Sequence, residues 1–400
     1  MSLKVELGFT ATGASAPFLT LDDPVKGVLD SPQWVLGGGE GLVDVTSYVR
    51  RASISRGKSR ELDKYNAGGA SVEFNNQTRA FDPTFEASPF YGQIVPQRQL
   101  KISIDDEVSY VGTVDDWQIN YDPSGMSVAT CNAFDAISSL SNLTLTDFAP
   151  DEQLSGARVT AALDNVSWPV AARSIDPGVQ ELESQIVSDG TSLITYLQTV
   201  ASSEPGDIFV NKSGQVEFVD RDNSQVTTGV TISDNGDIPY QDLQVVYGSE
   251  LLYNRVTVSN SLDTASAVNE NSVAAYGERD YSLETYILNE PDLQALATYL
   301  ANEYANPEFR FEQAVINLTN LTEEQRADIV GLELGQIIVV KFTPAGIPPE
   351  ILRASRVIGI SHDIDPNIHT TTLRLATLRA PLFVLDSALF GKLDNNILGL

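Results

Sequence analysis

Alternating apolar and polar residues dominate the chain and predict half-buried β-strands. This pattern is clearest at residues 71–74, 100–104, 216–219 and 255–258. Residues 337–340 form a continuous β-branched run, which predicts a buried strand. Turn signals at residues 122–125 and 212–214 separate such runs. The chain is therefore expected to be mainly β.

Helical spacing of apolar residues is confined to the middle of the chain and one later segment. Val159, Ala162, Leu163 and Val166 share one face of a helix that ends at Trp168-Pro169. A second helix has its cap at Thr191, stops before Pro205-Gly206, and carries Leu193, Leu197 and Val200. The strongest stripe starts near Asn289, ends before Pro307, and carries Leu293, Leu296, Ala297, Leu300 and Tyr304.

These patterns divide the chain by element type. It is β-rich to about residue 145, mixed over about 150–235, and β-rich with one long helix over about 240–380. We expect domains at 1–145, 146–238 and 239–384, followed by an extended C-terminal docking tail at 385–400. A length of 400 residues suits two to four modules at about 100–200 residues each.

Composition narrows the class of protein. Hydrophobic residues make up 42% of the chain, which is typical of globular proteins. No apolar run is long enough to span a membrane, and Met1–Leu7 lacks the pattern of a signal peptide. The only cysteine, Cys131, lies in an apolar stretch, so we interpret it as a small buried side chain rather than a nucleophile.

The net charge of −29 disfavours nucleic-acid binding through counterion release. A solvated surface explains such a charge. A sharper hypothesis is a wall that DNA slides past without adhering, because like charges repel.

Motifs for chemistry are nearly absent. His362 and His369 flank two aspartates, but their spacing of seven residues fits no compact zinc motif, and we interpret the segment as a solvated hairpin. Residues 220–224 begin like a calcium loop, but Gln225 and Thr231 stand where glycine and glutamate are required. No nucleophile elbow, phosphate loop or metalloprotease motif occurs. We therefore predict no enzyme activity, no catalytic residue, no metal and no cofactor.

One basic cluster stands out in this acidic chain. It combines Arg50, Arg51, Arg56, Lys58, Arg60 and Lys64, opposed only by Glu61 and Asp63. We interpret it as a loop that pairs with acidic patches on an adjacent subunit. The alternative is a solvated hairpin whose charges contribute little.

A short internal repeat lies near both ends of the chain. Residues 21–30 and 385–394 share one pattern: Leu-Asp, four residues, Gly, one residue, Leu-Asp. We hypothesise that both copies dock apolar side chains into neighbouring subunits. The side chains concerned are Leu21, Leu29, Leu385, Phe390 and Leu393. A β-turn used twice is the alternative.

Several segments together resemble minor tail proteins of long-tailed actinobacterial phages, of the baseplate or tail-tip hub family. The resemblance begins at residues 44–50 and 56–63 and continues at 79–83, 88–92, 95–98 and 112–117. Asp220-Arg221 and Tyr253-Asn254-Arg255-Val256 extend it, so that it covers roughly residues 40–380. No catalytic residue carries over; Phe81-Asp82-Pro83 is interpreted as a turn with an anchoring aromatic, and Tyr91 and Trp117 as packing residues.

The resemblance implies two related tail-tube-like β-barrel domains, with a smaller mixed α+β domain between them. Hub proteins of this kind form trimers whose six barrels make a pseudo-sixfold ring between the sixfold tube and the threefold tip. The implied partners are further copies of the chain, the distal tail protein, the tape-measure protein and tail fibre or receptor-binding proteins, with genomic DNA passing unbound. The implied location is the virion tail tip, after synthesis in the host cytoplasm.

Two alternatives remain open from the sequence. One is a distal tail ring protein, which would be a hexamer. The other is a receptor module that binds glycans, for which Tyr91, Trp117 and Tyr121 are candidate stacking residues. A cell-wall hydrolase is disfavoured because its catalytic motifs are missing.

Overall fold

The structure is a computed structural model that describes residues 2–9, 41–123, 125–223 and 227–377. Two seven-stranded β modules, one from each half of the chain, share a single sheet of 14 strands. A mixed α/β segment connects them along the chain. Among the described residues no helix is long and apolar enough to cross a membrane.

The first module is entirely antiparallel and has the strand order β2-β1-β5-β6-β7-β4-β3. Its apolar residues alternate with polar ones, so one face of the sheet covers the core. A one-turn 3-10 helix at Thr46–Tyr48 precedes β3. The strands are β1 Leu3–Phe9, β2 Gly41–Asp44, β3 Val49–Gly57, β4 Asn66–Asn75, β5 Gln99–Ile104, β6 Glu107–Tyr121 and β7 Ser127–Phe134.

The mixed segment surrounds the buried Arg158, whose guanidinium donates to the Glu183 carbonyl at 2.7 Å and the Tyr196 hydroxyl at 3.1 Å. These hydrogen bonds satisfy part of a charge that would otherwise be costly to bury. Three short sheets, β10-β14-β13, β9-β11 and β8-β12, complete the segment. Its elements are α1 Ala136–Ser141, β8 Thr144–Leu145, β9 Gln153–Leu154, α2 Ser155–Asn165, the 3-10 turn Val170–Ala172, β10 Arg173–Ile175, β11 Glu181–Leu182, β12 Thr191–Ser192, α3 Leu193–Ser203, β13 Asp207–Val210 and β14 Val216–Val219.

The second module has the strand order β16-β15-β22-β23-β24-β21-β17 and carries a small three-stranded insertion with two helices. Two 3-10 turns, Leu318–Asn320 and Pro344–Gly346, lie in its loops. Its elements are β15 Thr227–Ser233, β16 Ile238–Pro239, β17 Asp242–Gly248, β18 Arg255–Ser259, β19 Thr264–Val268, α4 Glu270–Tyr276, β20 Asp280–Glu284, α5 Glu290–Glu303, β21 Glu308–Asn317, α6 Glu323–Gly331, β22 Ile337–Phe342, β23 Ile351–Ile364 and β24 His369–Thr377.

The two modules repeat one topology. Strands β1 to β7, taken in chain order, occupy the same sheet positions as β15, β16, β17, β21, β22, β23 and β24. Strand directions also agree in four of the ladders. In the first module β5–β6, β6–β7, β7–β4 and β4–β3 are antiparallel, and so are the matching pairs β22–β23, β23–β24, β24–β21 and β21–β17 in the second. They differ only at the first strand, because β15 runs parallel to β16 and β22. The predicted class, mainly β with an α+β segment between two related β modules, is confirmed.

The insertion between β17 and β21 has its own core. The predicted apolar stripe of α5 packs on the sheet β19-β18-β20, where Leu293 and Val256 are buried. Asn254 is fully buried and holds the neighbouring loop, since its amide donates to the Gly277 carbonyl at 2.8 Å. It also accepts a hydrogen bond from the backbone N–H of Arg279 at 2.8 Å. The motif around residue 254 is thus a structural loop anchor.

An aromatic cluster closes the core of the first module. The ring of Phe81 stacks on Phe74 with a centroid distance of 4.4 Å and lies 5.8 Å from Trp117. Asp82 holds the turn by accepting hydrogen bonds from Arg79 and Thr84. Phe81 is fully buried, so the predicted turn with an anchoring aromatic is confirmed. Of the two residues predicted to pack in the core or at a barrel edge, Trp117 is partly buried against the core, and Tyr91 is 50% exposed and so lies outside it.

The predicted strands and the three predicted helices are present, with one correction. Thr191 is not the helix cap: Ser192 is the N-cap of α3, because Thr191–Ser192 pairs with β8 as a strand. The short helices α1, α4 and α6 are not predicted by apolar periodicity. Cys131 is fully buried, as expected.

Some predictions fall outside the described residues. The proposed docking side chains Leu21, Leu29, Leu385, Phe390 and Leu393 all lie there. The domain boundaries after residues 145, 238 and 384 stay predictions, and β15 and β16 already pair within the sheet of the second module.

We expect Phe81→Ala to lower the free energy of unfolding by about 3–5 kcal/mol, because it removes a buried ring and leaves a cavity. Urea denaturation measures this change. Tyr91→Ala is the matched control, and it should change stability by less than about 0.5 kcal/mol. Equal effects of the two substitutions would contradict the assigned role of the aromatic cluster.

Candidate functional site

The most distinctive feature is the seam where the two modules join. β23 pairs with β22 as far as Arg356, and beyond it residues 359–364 pair with β3 instead. Gly57 ends this ladder with a φ of +109°, and a Cβ there would lie 2.3 Å from the Ile358 carbonyl oxygen. Only glycine fits this close approach without strain. The seam is therefore specified by backbone geometry as well as by side chains.

A row of short polar side chains crosses the seam on the solvent face. It runs over seven neighbouring strands, and each member lies opposite the next in the ladder register. The row consists of Asn317, Thr370, Asp363, Ser53, Ser71, Asn132 and Asp116. We call this row the polar wall.

Hydrogen bonds link members of the polar wall to each other. Ser71 donates to Asn132 at 2.8 Å, and the Asn132 amide donates to Asp116 at 2.6 Å. Two residues along the seam, on the same face, the hydroxyls of Ser361 and Ser55 lie 3.1 Å apart. These contacts hold short side chains flat against the sheet.

Five members of the polar wall, Asp363, Ser53, Ser71, Asn132 and Asp116, line a shallow groove. Three of its lining residues are aspartates, Asp115, Asp116 and Asp363, and the described lining contains no lysine or arginine. Three carboxylates in one groove disfavour polyanions, and Arg51, 4.0 Å from Asp363, offsets part of this charge. The arrangement is chemically suited to contact without adhesion.

Buried ion pairs lie at one end of the seam and join all three parts of the chain. Arg56 of β3 pairs with Glu333 at 2.7 Å, and the second Glu333 oxygen accepts from the backbone N–H of Lys212 at 2.8 Å. Lys58 pairs with Asp207 at 3.0 Å, and Arg356 lies 3.7 Å from the same carboxylate. We call these five charged side chains the junction cluster: Arg56, Lys58, Asp207, Glu333 and Arg356.

The electrostatics of the junction cluster follow from burial and pairing. Burial alone would raise the pKa of Asp207, but the charges of Lys58 and Arg356 bring it below its ordinary value. Nearby, burial raises the pKa of Asp135 to about 7, although the backbone N–H groups of Gly68 and Ile137 donate to it. Sequence inspection identified none of the carboxylates, because Asp207 and Glu333 lie 149 and 277 residues from their basic partners.

The structure divides the predicted basic cluster into two groups. Arg56 and Lys58 point inward and pair within the chain, so their charges are already neutralised. Arg50 and Arg51 lie at the surface, 3.4 Å from Glu73 and Asp365 respectively. Arg60 is exposed and pairs with Glu250 at 2.9 Å, and Lys64 is also exposed. The hypothesis of an intersubunit contact therefore rests on the four surface residues.

The two histidines form a buried pair. His362 and His369 face each other across the predicted β23–β24 hairpin, with Nδ1 and Nε2 3.1 Å apart. The Thr371 hydroxyl lies 2.9 Å from the same His362 nitrogen. The hairpin is confirmed, but its interpretation as solvated is wrong, because both rings pack on the core face of the sheet.

Burial keeps both imidazoles neutral. Desolvation lowers the pKa of His369 to about 4 and that of His362 well below its ordinary value. Among the described residues, no three His, Cys, Asp or Glu side chains are grouped to hold a metal ion.

The segment that begins like a calcium loop forms a turn after β14. In this turn the Asp220 carboxylate accepts a hydrogen bond from the backbone N–H of Asn223 at 2.9 Å.

Replacing Arg56 by methionine should lower the free energy of unfolding by about 3–5 kcal/mol, since Glu333 would keep an uncompensated buried charge. Arg60→Met breaks an exposed ion pair and should cost less than about 1 kcal/mol. Adding Glu333→Gln to Arg56→Met should restore part of the loss. Denaturant unfolding of these variants measures the effects, and equal losses for Arg56→Met and Arg60→Met would contradict the junction cluster.

The histidine pair predicts a pH dependence of stability. Because the folded pKa of His369 lies below its unfolded value, the unfolded chain binds more protons between about pH 6.5 and 4. Stability contributed by the neutral ring is present above this window and is lost as the pH falls through it. His369→Gln, which cannot titrate, should reduce the loss by up to about 3 kcal/mol. Parallel stability curves for both proteins from pH 7.5 to 4 would refute this.

Sequence comparison and structure comparison give different answers. No family profile matches the sequence, and no curated protein matches it. Solved structures do match along almost the whole chain.

Three of these solved structures are tail proteins, and two of the three come from prophages. The tail protein from Neisseria meningitidis MC58 aligns with a TM-score of 0.61 at 12% identity, over 94% of this chain and 96% of that one. The 43 kDa tail protein of prophage MuSo2 from Shewanella oneidensis gives 0.58 at 11% identity, over 94% and 98%. Prophage tail protein gp18 from Listeria monocytogenes EGD-e gives 0.51 at 10% identity, over 94% and 95%. This chain therefore shares its fold with these three tail proteins.

Proposed function

We propose that this chain is a structural hub protein of a phage tail tip, and that three copies form a ring of six β modules. The observation that carries the proposal is the repeated strand order of the two modules. Two modules of one shape in each chain let a threefold assembly present six equivalent surfaces. Such a ring joins a sixfold tube to a threefold tip.

The partners follow from this position in the tail. One side of the ring would contact the sixfold distal tail protein, and the other would hold fibres or receptor-binding proteins. The lumen would hold the end of the tape-measure protein before DNA passes. The role is structural rather than catalytic, and the protein would be located in the virion after synthesis in the bacterial cytoplasm. Sequence motifs favour a long-tailed actinobacterial phage.

The polar wall supports a role as a DNA conduit. Its side chains are hydroxyls, amides and carboxylates, and the row is continuous across the seam of both modules. A lumen lined in this way would repel phosphate groups, in keeping with the net charge of −29. We propose that this face of the sheet lines the channel.

Other surfaces supply candidate contacts between subunits. The exposed residues Arg50, Arg51, Arg60 and Lys64 could pair with acidic patches of an adjacent copy. The segments around Leu29 and Leu393 remain proposed docking segments. The division into two barrel domains, a mixed domain and a C-terminal tail belongs to the same proposal.

Native mass spectrometry of the purified protein tests the ring. We expect a species of three chains, because three chains supply the six modules. Six chains would favour a distal tail ring protein instead. A monomer at every concentration and salt level would contradict the ring itself.

A further inference from the structure

The duplication extends to individual residues of β6 and β23. Each strand has a bulge, between Val114 and Asp116 in β6 and between Val357 and Gly359 in β23. Each ends seven residues after the bulge begins, at Tyr121 and at Ile364. Residues 116–121 of β6 therefore correspond to residues 359–364 of β23.

These corresponding stretches differ in what covers their outer edge. Residues 359–364 have β24 on one side and β3 on the other. In β6 the ladder with β5 stops at Thr113, and beyond it the only strand partner in the described chain is β7. Within the part of the chain that the structure describes, the first module thus leaves a strand edge unpaired at the place where the second module accepts β3.

The strand that would fill such an edge is also present and open. β17 is the counterpart of β3 in the second module, and across the described residues it pairs with β21 alone. Ser53 and Gln244 occupy equivalent positions in these two strands. Ser53 pairs with Ser71, which pairs with Asn132, and Gln244 pairs with Gln313, which pairs with Arg374. Asn132 and Arg374 each lie five residues after the first residue of their strands, β7 and β24. The described residues therefore contain one complete seam, between β3 and β23, and two strand edges that match its two sides but have no partner there.

We propose that β17 of one copy pairs antiparallel with residues 116–121 of β6 in a second copy, which repeats the β3–β23 seam between chains. The equivalence sets the register: Leu243 lies opposite Tyr121, Val246 opposite Gln118, and Gly248 opposite Asp116. The contact is head-to-tail, and contacts of this type form a ring when the rotation from copy to copy closes, as the proposed trimer requires. This inference rests on the proposed function and specifies how its ring is joined.

Side chains on both strands fit this pairing. Tyr247 is 70% exposed and Tyr121 is 54% exposed, and both lie on the proposed ladder. Leu243 and Val245 are half-buried on the core side of β17. An unpaired seven-residue strand that carries such residues invites association, and a second copy covers it.

The two seams differ in an ion pair. In the seam within the chain, Arg51 pairs with Asp365 at 3.4 Å. Their counterparts in the seam between chains are Asp242 and Asp122, two carboxylates that repel each other. Association should therefore strengthen as salt screens this repulsion. Asp242→Arg recreates the missing pair and should lower the dissociation constant of the assembly about tenfold.

Disulfide trapping tests the register. Gln118→Cys with Val246→Cys occupies the positions equivalent to Ser361 and Ser55, whose hydroxyls lie 3.1 Å apart. We expect an interchain disulfide on mild oxidation, because directly opposed strand residues meet the required separation. Ser55→Cys with Ser361→Cys is the positive control and should form a disulfide within one chain. Asn120→Cys with Val246→Cys is shifted by two residues and should trap at least about tenfold less.

Each outcome decides one question. Trimers that form under reducing conditions but give no interchain disulfide, or equal trapping in the shifted pair, would overturn the proposed seam and leave the hub function intact. A wild-type protein that stays monomeric would overturn the hub ring as well. If the cysteine variants fail to assemble, the Asp242→Arg variant decides, since weaker association in that variant contradicts the seam.

Discussion

The antiparallel ladder between β3 and β23 is the interaction on which the rest of the structure depends. It joins two modules that are each complete in strand order, and it does so through main-chain hydrogen bonds over residues 52–57 and 359–364. Sheet pairing fixes both distance and register, because a shift by one residue would turn every side chain to the other face. Gly57 ends the ladder where no larger residue fits. A rigid pair of modules is the result.

Two properties follow from that rigid pairing. On the solvent face, short polar residues from both modules align into the polar wall. At the end of the seam, Lys58 of the first module and Arg356 of the second both approach Asp207, so buried charges fasten the mixed segment to both modules. Buried ion pairs add little net stability but penalise any other arrangement strongly. The junction cluster therefore serves to specify how the three parts are placed.

The sequence predicts local features well and distant ones poorly. Alternation identified strands such as β4 and β18, and the stripe of α5 identified its helix, because both patterns depend on neighbouring residues. Helix α6 lacked such a stripe, although its capping box at Thr322 and Gln325 was available in the sequence. The burial of His362 and the partners of Arg56 could not be predicted, since their surroundings come from strands hundreds of residues apart. The duplicated strand order likewise became visible only once the ladders were known.

The central claim is that two equivalent modules in one chain let three copies act as six. The most direct measurement is a cryo-electron microscopy reconstruction of intact particles, made without imposed symmetry. The account predicts three copies of the chain in the tail tip, with six modules spaced at nearly equal angles around the channel. Six copies of the chain in one ring, or modules placed at different distances from the axis, would contradict it.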